Sequence, residues 1–159
     1  MGKKTDEPMT RSEALSRLTS LCSKSEHCLY QIKEKLREWN VSADDYSYIP
    51  YYLEKEKYID QTRFARAYCH DKFCYDRWGR VKIRQMLRHY QLSDEDIAEG
   101  MSTISEDDYR QTLQDLLLAK NRTLRDTDIY LRKAKLMRHL LYKGFEPNLV
   151  ADAVEDFTD

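Results

Sequence analysis

Residues that break helices are scarce in this chain: 159 residues include only 4 Gly and 3 Pro. No glycine-rich phosphate loop can be found among so few glycines, so nucleotide hydrolysis has no scaffold. No segment alternates apolar and polar residues for long enough to make a strand. The longest greasy run, Leu116-Leu117-Leu118-Ala119, falls far short of the roughly 20 residues a membrane helix needs. The first residues have no apolar core of a secretory signal, and Asp6 stands where a myristoylation pattern requires Ser or Thr. Excess charge of either sign is also missing, since the net charge is −1. Bulk charge therefore says nothing for nucleic acid, and only its distribution can. These absences lead to the expectation of a cytoplasmic protein whose four cysteines are reduced thiols.

Helix formers are what remains. With 41% hydrophobic and 35% charged residues, the composition predicts an all-α protein. Capping patterns punctuate the chain: Thr10-x-x-Glu13, Ser23-x-x-Glu26, Ser42-x-x-Asp45, Ser93-x-x-Asp96 and Ser105-x-x-Asp108, with Asp60 opening a further helix. Pro50 predicts either a kink in the third helix or a helix that starts near Tyr48 with the proline in its first turn. An eighth helix is expected from about Asp126 to Tyr142, with Tyr130, Ala134, Met137 and Leu141 aligned and Gly144 beyond its end. Pro147 suits the first turn of a ninth, whose apolar face is Val150, Ala153, Val154 and Phe157.

One spacing recurs. Ile32/Leu36/Val41, Ile83/Leu87/Leu92 and Leu136/Leu140/Phe145 share an apolar-x3-apolar-x4-apolar pattern, 51 residues apart from Leu36 to Leu87 and 53 from Leu87 to Leu140. Three tandem three-helix repeats follow, at 10–59, 60–104 and 105–159, behind a disordered tail at 1–9. Such repeats contact mainly their neighbours, which favours an elongated, curved helical-repeat body.

The middle repeat is the most distinctive, with Asp60-x-x-Arg63-Phe64-Ala65 and then Gly79-x-x-x-Ile83-x-x-x-Leu87. On these motifs and the triplicated spacing, the chain from roughly Ala14 to Phe157 resembles the RecX family of bacterial recombination regulators. The likeness carries departures: Gln61 stands where the family usually has a second acid, Trp78 where a basic residue commonly precedes the glycine, and Met86 where an acid is common before the leucine. The resemblance implies a non-enzymatic modulator of the RecA recombinase that binds RecA and its filament on single-stranded DNA, most often limiting it. Asp60, Arg63, Phe64, Gly79, Ile83 and Leu87 would be the structural residues of the motif.

Charge is segregated along the chain independently of that likeness. Arg77, Arg80, Lys82, Arg84 and Arg88 form one basic run, and Lys120, Arg122, Arg125, Arg132, Lys133, Lys135 and Arg138 a second. Between them lies an acidic stretch, Asp94, Glu95, Asp96, Glu99, Glu106, Asp107 and Asp108. The basic runs are candidates for weak, salt-dependent contact with single-stranded DNA or the filament, and the acidic stretch for a basic protein groove. The plainer alternative is solvated helix faces and ion pairs between neighbouring helices. Tyr46, Tyr48, Tyr51, Tyr52 and Tyr58 crowd beside Trp39, either to anchor a partner or to fill the joint between the first two repeats. Trp78, among arginines, could stack on a base or pack beneath Arg77.

Cys22, His27, Cys28 and Cys69, His70, Cys74 resemble two half-sites for zinc, but their spacing is wider than that of common zinc modules, so they are expected to be packing residues with no metal or cofactor. No catalytic constellation stands out. Asp44-Asp45 and Glu106-Asp107-Asp108 lie at expected helix starts, where capping and the helix dipole explain them. The chain is expected to act by binding, as a RecA modulator or, alternatively, as a generic helical-repeat adaptor without a DNA role.

Overall fold

The structure is a computed structural model that describes residues 7–157. Among them nine helices form: α1 (Arg11–Lys24), α2 (Leu29–Glu38), α3 (Ala43–Lys55), α4 (Gln61–Cys74), α5 (Arg80–His89), α6 (Asp94–Met101), α7 (Glu106–Thr123), α8 (Ile129–Tyr142) and α9 (Pro147–Glu155). Residues 1–6 of the expected tail lie outside the described residues. Met9 is held in place, packed on the first core and donating its backbone amide to the Trp39 carbonyl at 3.1 Å.

Five of the expected caps form. Thr10, Ser42, Asp60, Ser93 and Ser105 each accept the amide three residues on, Glu13, Asp45, Arg63, Asp96 and Asp108 respectively, at 2.9–3.2 Å. The Ser23 cap does not. Leu21 and Cys22 prolong the apolar face of α1 against the core, so the helix runs on to Lys24 and the Ser23 hydroxyl donates back to the Ser20 carbonyl. α2 opens instead after Cys28, whose amide is accepted by the Gln31 side chain at 3.1 Å. Pro50 lies well inside α3, so the alternative of a helix starting near Tyr48 is overturned. Ser42 starts that helix a turn and a half earlier, and Pro50 is buried, as are Ile49 and Leu53. α8 begins three residues later than expected, just after Asp128, whose carboxylate accepts the Tyr130 amide.

The triplicated spacing has a structural cause. At the ends of α2, α5 and α8, Asn40, Gln91 and Gly144 take positive φ (51°, 60° and 97°). Around each, the next residue's amide reaches back to the last helical turn: Val41 to Leu36, Leu92 to Leu87 and Phe145 to Leu140, at 3.2–3.3 Å. This is a Schellman motif, in which an apolar residue just past the turn packs on one in the last helical turn. The x4 gap in the sequence pattern is that motif, written three times.

Close helix pairing occurs within the trios α1–α3, α4–α6 and α7–α9, which are the three units of a helical-repeat fold. In the middle trio Gly100 of α6 crosses α4 at Ala65 and Cys69 so tightly that a Cβ would meet the Ala65 carbonyl. Among the described residues the cores are two, however, where three repeats would suggest three. Unit one has its own, built from Ala14, Leu18, Ile32, Leu36, Ile49, Leu53 and Ile59. Units two and three share a single core, in which the ring of Tyr109 (α7) lies 5.8 Å from Phe73 of α4 and 5.0 Å from Phe145 beyond α8.

Candidate nucleic-acid interface

The shared core leads to a joint closed by backbone. The N-terminal amides of α5 have no partners inside their own helix, and unit three supplies them. Gly79 donates to the Lys143 carbonyl at 2.8 Å, Val81 to the Gly144 carbonyl at 2.9 Å, and Arg80 to the Tyr109 hydroxyl at 3.0 Å. The close approach explains both glycines: a Cβ on Gly79 would overlap the Gly144 carbonyl, and one on Gly144 would overlap Lys82.

Arg80 belongs to this joint, which corrects its expected place on the outward basic face. Its guanidinium binds Glu106 at 2.9 Å and Glu146 at 2.6 Å and lies 3.9 Å from the centre of the Tyr109 ring. Burial pulls its pKa down, but the hydrogen bonds to Glu146 and Glu106 outweigh that and raise it. The same contact holds the Glu106 carboxyl below its ordinary range. Burial, then the bond to Glu146 at 2.5 Å, keeps the Tyr109 phenol protonated.

Outside the glycines the joint carries cations and rings. The Lys82 ammonium lies 4.4 Å from the centre of Trp78 and 4.8 Å from that of Tyr142, while Lys72 lies 4.7 Å from Trp78. Trp78 thus packs under lysines, where Arg77 was one expected neighbour. Lys72 also pairs with Asp76 at 3.1 Å, and Lys143 donates to the Asp76 carbonyl at 2.6 Å. Burial and then the nearness of Lys82 hold the Lys143 ammonium below its ordinary pKa, with Asp76 opposing and Arg77 adding to the depression.

The positive strip continues along α8. A hollow of about 490 Å³ is lined by Lys120, Leu124, Lys135, Arg138, His139 and Tyr142. His139 lies below its ordinary pKa through burial and then through Lys120 and Lys143. Tyr142 and Lys143 therefore connect Lys82 of unit two to Lys120, Arg138 and His139 of unit three. Like charges crowded in this way favour an anionic ligand that relieves their repulsion.

The remaining candidates divide. Arg132 binds the Asp126 carbonyl and the Asn121 side chain, and Lys135 binds the Asp126 carboxylate at 2.9 Å, so both tie down the α7–α8 connection. Lys133 reaches the Glu155 carbonyl at 3.3 Å, at the end of α9. Arg77, Arg84, Arg88, Arg122, Arg125 and Arg138 form no ion pair with the described residues. Lys72 and Lys143 were missing from the sequence expectation. Each sits outside the runs that charge counting picks out, and only the joint brings them to Trp78.

The acidic stretch is partly neutralised, as Glu99 pairs with Arg66 and Glu106 with Arg80 and Arg110. The tyrosine cluster only borders the first joint, where Tyr46 lines a hollow with Gln61 and Tyr90. Tyr46 and Tyr52 pack on the core of unit one, and Tyr48, Tyr52 and Tyr58 stack in a row at 6.1 and 6.4 Å. Tyr30 fills the joint instead, 5.3 Å from His89 and 5.8 Å from Tyr90, with Phe64 and Tyr68 behind Tyr90. Arg63 seals it by bonding Glu26 at 2.5 Å and the Lys57 and Tyr58 carbonyls. Of the cysteines, Cys28 and Cys69 are buried in the larger core and Cys22 packs half-buried on the smaller. Burial pushes the Cys69 thiol up to about 12. No three His, Cys, Asp or Glu side chains gather as a metal cage among the described residues, and no described helix is long and apolar enough to cross a membrane.

Comparison with known proteins bears on this arrangement. The family model for the second three-helix domain of RecX matches residues 60–101, and that for the third matches residues 106–154, together more than half of the chain. The chain is 27% identical over 145 residues to the regulatory protein RecX of Leuconostoc mesenteroides, covering 91% of this chain and 54% of that protein. It thus spans about half the length of that relative. Identity to the regulatory protein RecX of Ralstonia pickettii is 24% over 136 residues, covering 86% of this chain and 82% of the relative. A crystal structure of regulatory protein RecX superposes with a TM-score of 0.82 at 24% identity, covering 92% of this chain and 73% of the other. That of RecX from Lactobacillus salivarius gives 0.77 at 18%, covering 92% and 95%. The two matched domains abut at the glycine joint described above, in the family's own order, and the chain belongs to the RecX family.

Proposed function

We propose that this protein regulates RecA-mediated recombination and repair by binding RecA and its filament on single-stranded DNA, limiting the filament's activity without catalysing a reaction. The observation that carries the DNA part is the positive strip through Lys72, Trp78, Lys82, Tyr142, Lys143 and His139. Ammonium groups spaced along a helical joint suit the phosphates of a strand, and the Trp78 and Tyr142 rings beneath them suit stacking on its unpaired bases once phosphates draw the lysines off. The RecA part follows from membership of the RecX family and from the names of the relatives, which describe them as regulatory proteins. We read the three units as domains at 10–59, 60–104 and 105–159.

The deciding experiment is RecA-dependent ATP hydrolysis on single-stranded DNA with and without the chain. A fall at stoichiometric concentration is the expected result. An unchanged rate, together with no affinity for oligo(dT), would leave only the reading of a helical adaptor without a DNA role.

A further inference from the structure

The joint between units one and two is built differently from the joint between units two and three. No backbone bond closes it from α2 to the end of α5, and a groove remains. One hollow, of about 230 Å³, lies at the joint and is bounded by Tyr30, Arg37, Gln61 and Tyr90, and a second, of about 400 Å³, runs on from it over unit one between α2 and α3, bounded by Pro50, Tyr51 and Glu54. Both are lined by Leu29, Lys33 and Tyr46, so they are two ends of one groove.

The charged groups of the first hollow are both cations, Lys33 and Arg37. The Gln61 Oε1 accepts the Leu29 amide at 3.0 Å, which caps α2 and leaves Gln61 Nε2 as a donor. Lys33 forms no ion pair with the described residues, and Arg37, whose guanidinium lies 5.5 Å from the centre of the Tyr46 ring, has only a loose ion pair with Glu34 at 3.8 Å on the open surface. Tyrosine rings and Leu29 form the walls. Two cations and an amide N–H, with no carboxylate in the lining, fit an oxyanion, and apolar walls fit a side chain next to it. Two kinds of polymer carry oxyanions, and the second hollow discriminates between them. A nucleic-acid strand repeats its phosphates along its length and needs cations throughout. Here the cations of the first hollow, Lys33 and Arg37, are one helical turn apart, and at the far end Glu54 lines the second hollow beside Tyr51, whose ring centre lies 5.9 Å from the Lys55 ammonium, so a further phosphate would meet opposed charges there.

We propose that the groove between units one and two docks a peptide segment of a protein partner, seating a carboxylate side chain on Lys33, Arg37 and Gln61 and an apolar or aromatic neighbour against Leu29 and Tyr46. It is a protein-docking site separate from the positive strip at the other joint. The identification of RecA as the bearer of that segment rests on the function proposed above; the chemistry of the groove does not.

The test uses the whole chain, its Gln61→Glu variant and its Lys33→Ala/Arg37→Ala variant. Gln61→Glu retains an oxygen for the Leu29 amide, so the helix cap survives while the groove gains a negative charge, and an unchanged thermal melt checks this. Three ligands are titrated: a copolymer of glutamate and tyrosine, RecA without DNA, and oligo(dT). Each variant should weaken the copolymer and RecA about tenfold or more, with oligo(dT) bound as by the parent. Copolymer affinity untouched by both variants overturns the docking site, and so does a parallel loss of oligo(dT), which would make the groove a nucleic-acid site. Copolymer binding that responds to the variants while RecA fails to bind the parent chain would uphold the groove and remove RecA as its partner.

Discussion

Gly79 and Gly144 meet backbone to backbone across the joint of units two and three, so neither position has room for a side chain. Replacing Gly79 with alanine drives a methyl into the Gly144 carbonyl and parts the amide from Lys143. Overpacking and one or two broken hydrogen bonds together should cost on the order of 3 kcal/mol, read as a lower midpoint in urea unfolding. Gly144→Ala should cost at least as much, because Gly144 also holds φ at 97°. A midpoint equal to the parent's would mean the joint is looser than the backbone bonds imply.

Lys82 and Arg80, two residues apart on α5, should behave oppositely. Lys82→Ala and Lys143→Ala should each flatten the salt dependence of oligo(dT) binding, by up to about 0.7 in log–log slope for each phosphate no longer neutralised, and leave stability nearly intact. Arg80→Ala should keep the slope and lower stability, since it leaves the half-buried Glu146 without its cation and Glu106 with Arg110 alone. Equal slopes for Lys82→Ala and the parent would remove Lys82 from the strip.

His139 makes the strip sensitive to pH. Burial and then Lys120 and Lys143 depress its folded pKa below 6.5. The unfolded chain therefore holds more of this proton between the folded value and 6.5, so stability falls as pH drops through that window and is unaffected above it. A bound strand would add negative charge beside Lys120, Lys135, Arg138 and Lys143, and should raise the His139 pKa. Ring-proton NMR titration with and without oligo(dT) reads this directly, and a pKa that stays put at saturation would place the strand elsewhere.

Trp78 is an optical reporter for the same face. Only two tryptophans are present, and Trp39 lies on the core of unit one. In a Trp39→Phe chain, oligo(dT) should change the emission of Trp78 as phosphates draw Lys72 and Lys82 from its ring. Titration to saturation with constant emission would count against a strand at this joint.

Arg63 tests the other joint. Arg63→Ala removes the bond to Glu26 and both bonds to backbone carbonyls, which should cost about 1–2 kcal/mol. Glu26 Oε2 is already buried without a partner, so Glu26→Gln in the same background should recover part of the loss. Thermal melts of the single and double variants supply the comparison. No recovery would show that the carboxylate is well solvated.

Much of the site could be read from the runs of cations on α5 and α8, but not which of them face outward. Arg80 looked like its neighbours because charge along a helix carries no record of what approaches its N-terminus. That approach comes from Tyr109 and Glu146, 29 and 66 residues away in sequence. Lys72 and Lys143 are the converse case, since a cation outside a run becomes part of a strip only when folding brings two chain segments together.

Local interactions explain what the sequence determined by itself. Caps at Thr10, Ser42, Asp60, Ser93 and Ser105, and the spacing behind the three Schellman turns, involve groups close together in the chain, so the helices and their triplication are written locally. Choices between equivalent local patterns needed the tertiary structure. α8 carries two apolar stripes: Leu136 and Leu140 are buried, whereas Tyr130 is 83% and Leu141 41% exposed. Ser23 begins a valid capping box and still lies within α1, because Leu21 and Cys22 gain more against the core than a new helix start would offer. Burial is a property of the partner surface, and only the folded chain decides which stripe or helix end meets one.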